Sequence, residues 1–504
     1  MSLADGTRVP LASMSRLRRI GHGVKWGAIS TLATGVLQLG LTALMARLLA
    51  PSDFGLVATA NVALRFLSYF AQLGIAPALV QKSSLEQGDV GAAMTVSLTV
   101  SAVFAFAALI LAPVAQWFFE MPMLGWVVAA LAPNFVVAGF GTVSLGLLRR
   151  QMQFRALALV ELASYVLGYA IIGIGLAWVG AGVWALVLAT LSQATISALL
   201  AYACVRHPMQ LRHSRHQRHH FMSFGGRYAL IGFLEFFSLS FDAMVVGKLF
   251  GPAAAGLYNR ASLLANLPVD KPTTVFTRAL FPMLSSMGSE RDKQSLGAQI
   301  SVLTVGGYAF AVGVGVAVAA PDIVACLLGA RWGDAAPVLR LLALAVGPSF
   351  ISHVIGVTFE SLGKLGLKMC VHAGTFVALV LLILALGRYG LVGIALSVAF
   401  TEVLRVVVYC VLLHREYRMP WSYWSSTGVV VTLAAGCAGA GVAVTVLSVP
   451  AQAPSAIRMA ADVAGGAAGL ALAMVLLRPL LARQAAMRYV RARIPLLDRF
   501  LRTF

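Results

Sequence analysis

Runs of roughly twenty apolar residues recur along this chain from end to end, and a run of that length crosses the hydrocarbon core of a bilayer as one helix. About fourteen such runs begin near Trp26, Phe54, Val90, Leu124, Leu157, Val183, Phe224, Leu257, Gly297, Ala336, Met369, Leu391, Thr427 and Ile457. Of 504 residues 60% are hydrophobic and only 11% charged, and the mean hydropathy is +0.87. A bilayer is the solvent that suits so much apolar surface, and inside it each backbone N–H and C=O must be paired within its own segment. The expected fold is therefore an all-α polytopic membrane protein.

An even number of spans returns both termini to one side, and Lys and Arg say which side that is. Arg8, Arg16, Arg18, Arg19 and Lys25 precede the first span, and Arg149, Arg150 and Arg155, Arg206 to Arg218, and Lys364 and Lys368 fall in alternate loops. The opposite loops hold few cations, with Arg331, Arg388 and Arg458 as the main exceptions. Both termini are expected in the cytoplasm. The net charge of +20 then reports topology and adhesion to anionic lipid, not nucleic-acid binding. The apolar run after Lys25 is too long for the core of a cleavable signal peptide and is expected to stay as the first helix. Cys204, Cys326, Cys370, Cys410 and Cys437 lack metal-ligand spacing, so neither a disulfide nor a metal is expected.

The chain repeats itself. Arg47-Leu48-Leu49-Ala50-Pro51 followed by Gly55-Leu56 matches Lys248-Leu249-Phe250-Gly251-Pro252 followed by Gly256-Leu257, 201 residues later. A weaker echo pairs Gly180, Ala185 and Leu186 with Gly390, Ala395 and Leu396. Six spans separate the copies, so two six-helix lobes share one orientation about an axis along the membrane normal. The expected organisation is a basic N-terminus (1–25), a first lobe (26–205), a basic His-rich connector (206–222), a second lobe (223–413), two further helices (414–477) and a basic amphipathic tail (478–504). The connector's histidines, His207 among them, read as part of a solvated basic loop rather than as a metal site.

Charge inside the apolar runs points to function. A cation at mid-bilayer costs roughly 2.5–3.5 kcal/mol on insertion scales, so it needs a partner or a task. Arg260, Lys271 and Arg278 lie 11 and 7 residues apart in one apolar stretch. At ~100° per residue they return to within about 20° of one helix face, along about 27 Å of axis. Arg65 is a fourth candidate, on the second span. Such a track offsets the cost of taking an anion through hydrocarbon, and Arg offers a fork that fits phosphate oxygens. Glu235 and Asp242, on the preceding span, either neutralise these cations or couple ion movement to transport. Pro268 and Pro272 are expected to kink or break the stripe. Glu402 and Arg405 are spaced for a local pair, and Glu161 and Arg340 sit near span ends.

At these residues the chain resembles bacterial oligosaccharide flippases of the Wzx type. The resemblance is carried by ARLLAPSDFGL at Ala46 to Leu56, FAQLGIAPALVQ at Phe70 to Gln81, LLRRQMQFRALALVELAS at Leu147 to Ser164, DAMVVGKLFG at Asp242 to Gly251, YNRASLLANLP at Tyr258 to Pro268, RALFPMLSS at Arg278 to Ser286 and GARWGDAAPVLRLLAL at Gly329 to Leu344. Arg260 and Arg278 fall within matching blocks; Arg65 stands where such proteins usually carry a small or apolar residue. The resemblance implies two MATE-like lobes plus two C-terminal helices, in the multidrug, oligosaccharidyl-lipid and polysaccharide exporter superfamily. It implies a transporter, not an enzyme, that carries undecaprenyl-diphosphate-linked oligosaccharide across the bacterial inner membrane without a cofactor. Membrane lipids, a polysaccharide polymerase and export machinery are the implied partners. A drug antiporter of the same superfamily and an integral membrane polymerase or glycosyltransferase are the alternatives. The cations weigh against the first and the short loops against the second.

Overall fold

The computed structural model describes residues 33–71, 79, 87–207, 240–270, 272–273, 291–450 and 452–483. In chain order the helices are α1 (Ala33–Leu48), α2 (Pro51–Ala71), α3 (Gln87–Phe119), α4 (Leu124–Leu131), α5 (Pro133–Arg150), α6 (Phe154–Trp178), α7 (Val183–Val205), α8 (240–270), α9 (Arg291–Ile323), α10 (Ala335–Ser361), α11 (Leu365–Leu386), α12 (Gly390–Tyr417), α13 (Trp421–Ser448) and α14 (Ser455–Arg483). No strand occurs among the described residues. There, nine continuous helical stretches are long and apolar enough to cross a membrane. One, Leu365–Tyr417, holds 53 residues. At ~1.5 Å per residue it would extend about 80 Å, more than twice the hydrocarbon thickness. Gly390, at φ 72°, turns the chain there and makes α11 and α12 two crossings.

The chain forms two compact units, one of Met1–Leu49 with Ala60–Phe236 and one of Ala50–Thr59 with Phe237–Phe504. In the first, α3, α5 and α7 pack around Leu79, Val90, Met94, Val143 and Leu147. Arg150 donates to the carbonyl of Leu79 at 2.7 Å. Residues Val166–Gly173 of α6 form a π-helical stretch, where Gly168 lets the backbone of Gln193 approach; a Cβ there would lie 2.7 Å from it. His207 is buried, with its Nε2 2.9 Å from the Ser144 hydroxyl and its ring edge-on to Tyr202. Its expected place in a solvated loop is corrected: the ring is captured by α5 and α7.

In the second unit α9, α10 and α13 pack closely, with Leu303, Val430, Ala434 and Leu477 in the core. Here α13 and α14 cross through glycines: a Cβ on Gly441 would lie 2.1 Å from the Gly465 carbonyl oxygen, and one on Gly465 2.4 Å from that of Gly441. Small residues of this kind let membrane helices meet backbone to backbone. Arg458 of α14 pairs with Asp322 at the end of α9 at 3.0 Å, while Thr445 of α13 donates to Asp462 at 2.9 Å. Facing outward are residues such as Leu384 and Leu447, exposed by 76% and 86%, as lipid contact requires.

Proline inside these helices removes one donor and frees the carbonyl four residues earlier. Two such carbonyls have found a side chain. Pro321 frees that of Ala317, which accepts from Arg340 Nε at 3.2 Å. Pro272 frees that of Pro268, which accepts from the Tyr308 hydroxyl at 2.8 Å.

Candidate functional site

The repeated motif builds the frame of the site. In the first copy α1 ends at Leu48 and Pro51 opens α2; Asp53 caps the turn by accepting the Ala50 N–H at 3.0 Å. The second copy carries Ala254 in place of Asp53, and Gly251 at φ 76° makes the turn in which Pro252 follows. Residues 50–59 and the second copy from Gly251 onward belong to the same unit. They meet reciprocally. A Cβ on Gly55 would lie 1.6 Å from the Pro252 carbonyl oxygen, and one on Gly256 1.9 Å from that of Pro51. Each glycine thus receives the other copy's proline carbonyl, the reciprocity that a two-fold relation requires.

Arg260 is one turn beyond Gly256 on the same face of α8. Its guanidinium lies 4.6 Å from the centre of the Phe54 ring, which is itself 3% exposed. Phe54 meets Trp332 edge-on at 5.4 Å and 72°, and Trp332 is fully buried in the tight turn Ala330–Trp332. Three blocks far apart in the chain therefore meet at the Phe54 ring. A guanidinium over an aromatic face is attracted by the ring's negative quadrupole while its N–H groups stay available as donors. One of them, Nη2, donates to Asn259 Oδ1 at 3.0 Å. The arrangement holds a hydrogen-bonding cation on one face of α8.

Tyr258, buried two residues before Arg260, donates to Asp242 at 2.5 Å and ties the two limbs of α8 together across the Gly251 turn. Asp242 thus has a hydroxyl partner. Arg65 is exposed on α2. Lys271, Arg278 and Glu235 lie outside the described residues. The helix break expected at Pro268 and Pro272 does not occur at Pro268: α8 stays helical through residue 270, and the Tyr308 hydroxyl donates to the Pro268 carbonyl.

A second group of polar side chains, largely missed in the sequence, runs through the interior of the same unit. Arg405 of α12 pairs with Glu402 at 2.6 Å and donates to Thr375 of α11 at 3.3 Å. The expected local pair forms, but α11 shares it. Lys368 of α11 pairs with Glu360 of α10 at 2.5 Å, and Lys364 pairs with Glu416. The available signal was a shared spacing: Lys364, Lys368, His372 and Thr375 lie on one face of α11, and Glu402, Arg405, Tyr409 and Glu416 on one face of α12.

The sequence profile of a family described as polysaccharide biosynthesis protein matches residues 44–337, more than half of the chain. The succinoglycan biosynthesis transport protein ExoT of Rhizobium meliloti (strain 1021) is 27% identical over 358 residues, covering 68% of this chain and 70% of that protein. The lipopolysaccharide biosynthesis protein WzxC of Escherichia coli (strain K12) is 21% identical over 402 residues, covering 78% and 81%. Among solved structures, the lipid II flippase MurJ in an inward closed conformation superposes with a TM-score of 0.69 at 13% identity, covering 90% of this chain and 99% of MurJ. A multidrug resistance MATE family transporter in an inward-facing conformation gives a TM-score of 0.60 at 16% identity, covering 78% and 98%. The fold, helical throughout the described residues, is similar to that of these two transporters. On the strength of the profile match, this chain belongs to the polysaccharide biosynthesis protein family, and its fold is similar to those of the lipid II flippase MurJ and a MATE family transporter.

Proposed function

We propose that this protein is a flippase that moves undecaprenyl-diphosphate-linked oligosaccharide from the cytoplasmic to the periplasmic leaflet of the bacterial inner membrane, for exopolysaccharide or O-antigen assembly. The observation that carries this reading is Arg260 on α8, its guanidinium held over the Phe54 ring, in a chain of this family. A diphosphate bears about two negative charges, and its desolvation is the main barrier to unaided crossing. A pre-oriented guanidinium offsets that cost with charge-assisted hydrogen bonds. In this reading Arg65, Lys271 and Arg278 join Arg260 as headgroup contacts, and Glu235 and Asp242 pair with them or couple an ion.

Two lobes of one orientation suit alternating access around a central site. The transport protein ExoT and the lipid II flippase MurJ support the class of cargo. The proposed topology has fourteen spans in the lobes 26–205 and 223–413 and the pair 414–477, with both termini cytoplasmic. A polysaccharide polymerase and export machinery act next on the cargo.

Depletion in living cells tests the proposal. Lipid-linked repeat units should accumulate on the cytoplasmic leaflet, and surface polysaccharide should fall in proportion. Repeat units that reach the periplasm at the normal rate in depleted cells would overturn it.

A further inference from the structure

The π-helical stretch Val166–Gly173 in α6 departs from regular helix geometry, as stretches at functional sites frequently do. It sets a pair of aromatic rings. Tyr165 and Tyr169 stack with ring centres 4.9 Å apart and planes 23° from parallel. Tyr169 is held from α7. The Thr190 hydroxyl gives its own proton to the Leu186 carbonyl at 2.9 Å, so its oxygen accepts from the Tyr169 hydroxyl at 3.0 Å. Gly168 makes that reach possible, because α6 rests there against the backbone of Gln193. Gln193 follows Thr190 by three residues and shares its face of α7.

The side chains of α6 divide into three faces. Val160, Ser164 and Gly168, spaced by four, are buried. Leu159 and Val166, spaced by seven, are exposed and apolar, as lipid contact requires. Glu161, Tyr165 and Tyr169 make the third face, with Glu161 exposed and both tyrosines partly exposed. Counting from Phe154, where α6 begins, Glu161 lies about 10 Å along the axis and the tyrosines roughly 16 and 22 Å. Tyrosines of an interfacial belt sit at helix ends, level with the headgroups, whereas these two sit at the depth of the hydrocarbon. A carboxylate turned to hydrocarbon is costly, so the face that carries Glu161 meets water rather than lipid.

Stacked rings bordered by amide, hydroxyl and carboxylate groups on a hydrated face have the chemistry of a sugar site. The flat side of a pyranose presents C–H bonds of slight positive charge, which suit the electron-rich face of a phenol. Its hydroxyls need donors and acceptors around the edge. Of the three parts of the proposed cargo, the isoprenoid tail needs no hydrogen bonds and the diphosphate needs cations; the glycan alone fits both features. We propose that Tyr165 and Tyr169 are the platform on which a sugar ring of the lipid-linked oligosaccharide stacks in transit, with Gln193 and Glu161 bonding its hydroxyls. This rests on the flippase reading and names the part of the protein that reads the glycan. The bond to Thr190 orders the Tyr169 ring in advance, which lowers the cost of binding. In the proposed topology the platform is approached from the cytoplasmic end of α6, the side from which the cargo sets out.

The test uses the full-length protein in proteoliposomes with two fluorescent probes at low density. One is the undecaprenyl-diphosphate oligosaccharide extracted from cells that produce this protein, and the other is undecaprenyl diphosphate with no sugar. The readout is the ratio of their initial exchange rates. The parent should favour the glycosylated lipid, and Tyr165→Ala should lower the ratio roughly 2- to 12-fold, the worth of one aromatic contact. Tyr165→Phe keeps the ring and should hold the parental ratio. Should Tyr165→Ala misfold, Tyr165→Leu supplies aliphatic bulk in place of the ring and must lower the ratio in the same way. Saturation-transfer NMR gives a readout independent of transport: the oligosaccharide released from its lipid should receive transfer at its ring C–H protons from the parent and lose it with Tyr165→Leu. A parental ratio in Tyr165→Ala and Tyr165→Leu overturns the proposal, as does a parent that exchanges both probes at one rate, which leaves the flippase reading standing. A folded parent that exchanges neither probe removes the flippase reading and the platform with it.

Discussion

Replacing Arg260 with Ala separates a structural from a transport role for the stacked guanidinium. What the fold loses is the contact with Phe54 at 4.6 Å and the hydrogen bond to Asn259 at 3.0 Å. A cation over an aromatic ring contributes about 0.5–2 kcal/mol, depending on its exposure, and Arg260 is half-buried. For a unit of this size that is a drop of roughly 1–8 °C in melting temperature, small enough to leave the protein folded and inserted. What the cargo loses is a charge-assisted hydrogen bond to phosphate, worth about 1.5–3 kcal/mol, or roughly a 10- to 150-fold drop in transport. Arg260→Lys keeps the charge but loses the planar fork, so its rate should fall between the two. The assay is initial leaflet exchange with melting temperature measured on the same preparations. Arg260→Ala exchange at the parental rate would refute the reasoning. A melting temperature lowered by tens of degrees would make the guanidinium structural.

Three further outcomes follow from the packing. Gly55→Ala and Gly256→Ala each drive a Cβ to within 2 Å of a proline carbonyl oxygen, so each should destabilise by about 1–3 kcal/mol or more. Gly307→Ala, with open space around its Cβ, should not lower the melting temperature in the same thermal assay. Arg405→Ala strands Glu402 in the interior and should cost about 3–5 kcal/mol, read as lost folded yield after detergent extraction, with Glu402→Gln in the same chain restoring part of it. Lys364→Ala breaks a pair whose lysine is 43% exposed, and should change stability by less than about 1 kcal/mol.

The spans were legible because membrane helices are written in composition. Several expected starts, among them Leu124, Val183, Ala336 and Leu391, fall on or within a residue of where helices begin. The repeat was legible too, because Pro51 and Pro252 follow equivalent turns and their glycines need the same close approach. Glu402 with Arg405 could be read because a three-residue spacing is local. Contacts between distant residues could not. Nothing in the spacing of Phe54, Arg260 and Trp332 announces that they stack, and Arg405 reaches Thr375 across 30 residues and Lys364 reaches Glu416 across 52. Tyr308 shows the same limit from another side. Pro272 declares in the sequence that a carbonyl will be freed, but which side chain takes it depends on how α9 packs. His207 was misread because a histidine in a basic run looks solvated until Ser144 and Tyr202 are seen around it.

Reconstituting the purified protein and following undecaprenyl-diphosphate oligosaccharide between leaflets, with a membrane-impermeant quencher and no imposed gradient, tests the central claim most directly. The account predicts protein-dependent exchange that brings the inner-leaflet pool into reach of the quencher. If the folded protein leaves that pool protected with several glycans, the claim that it carries lipid-linked oligosaccharide is contradicted.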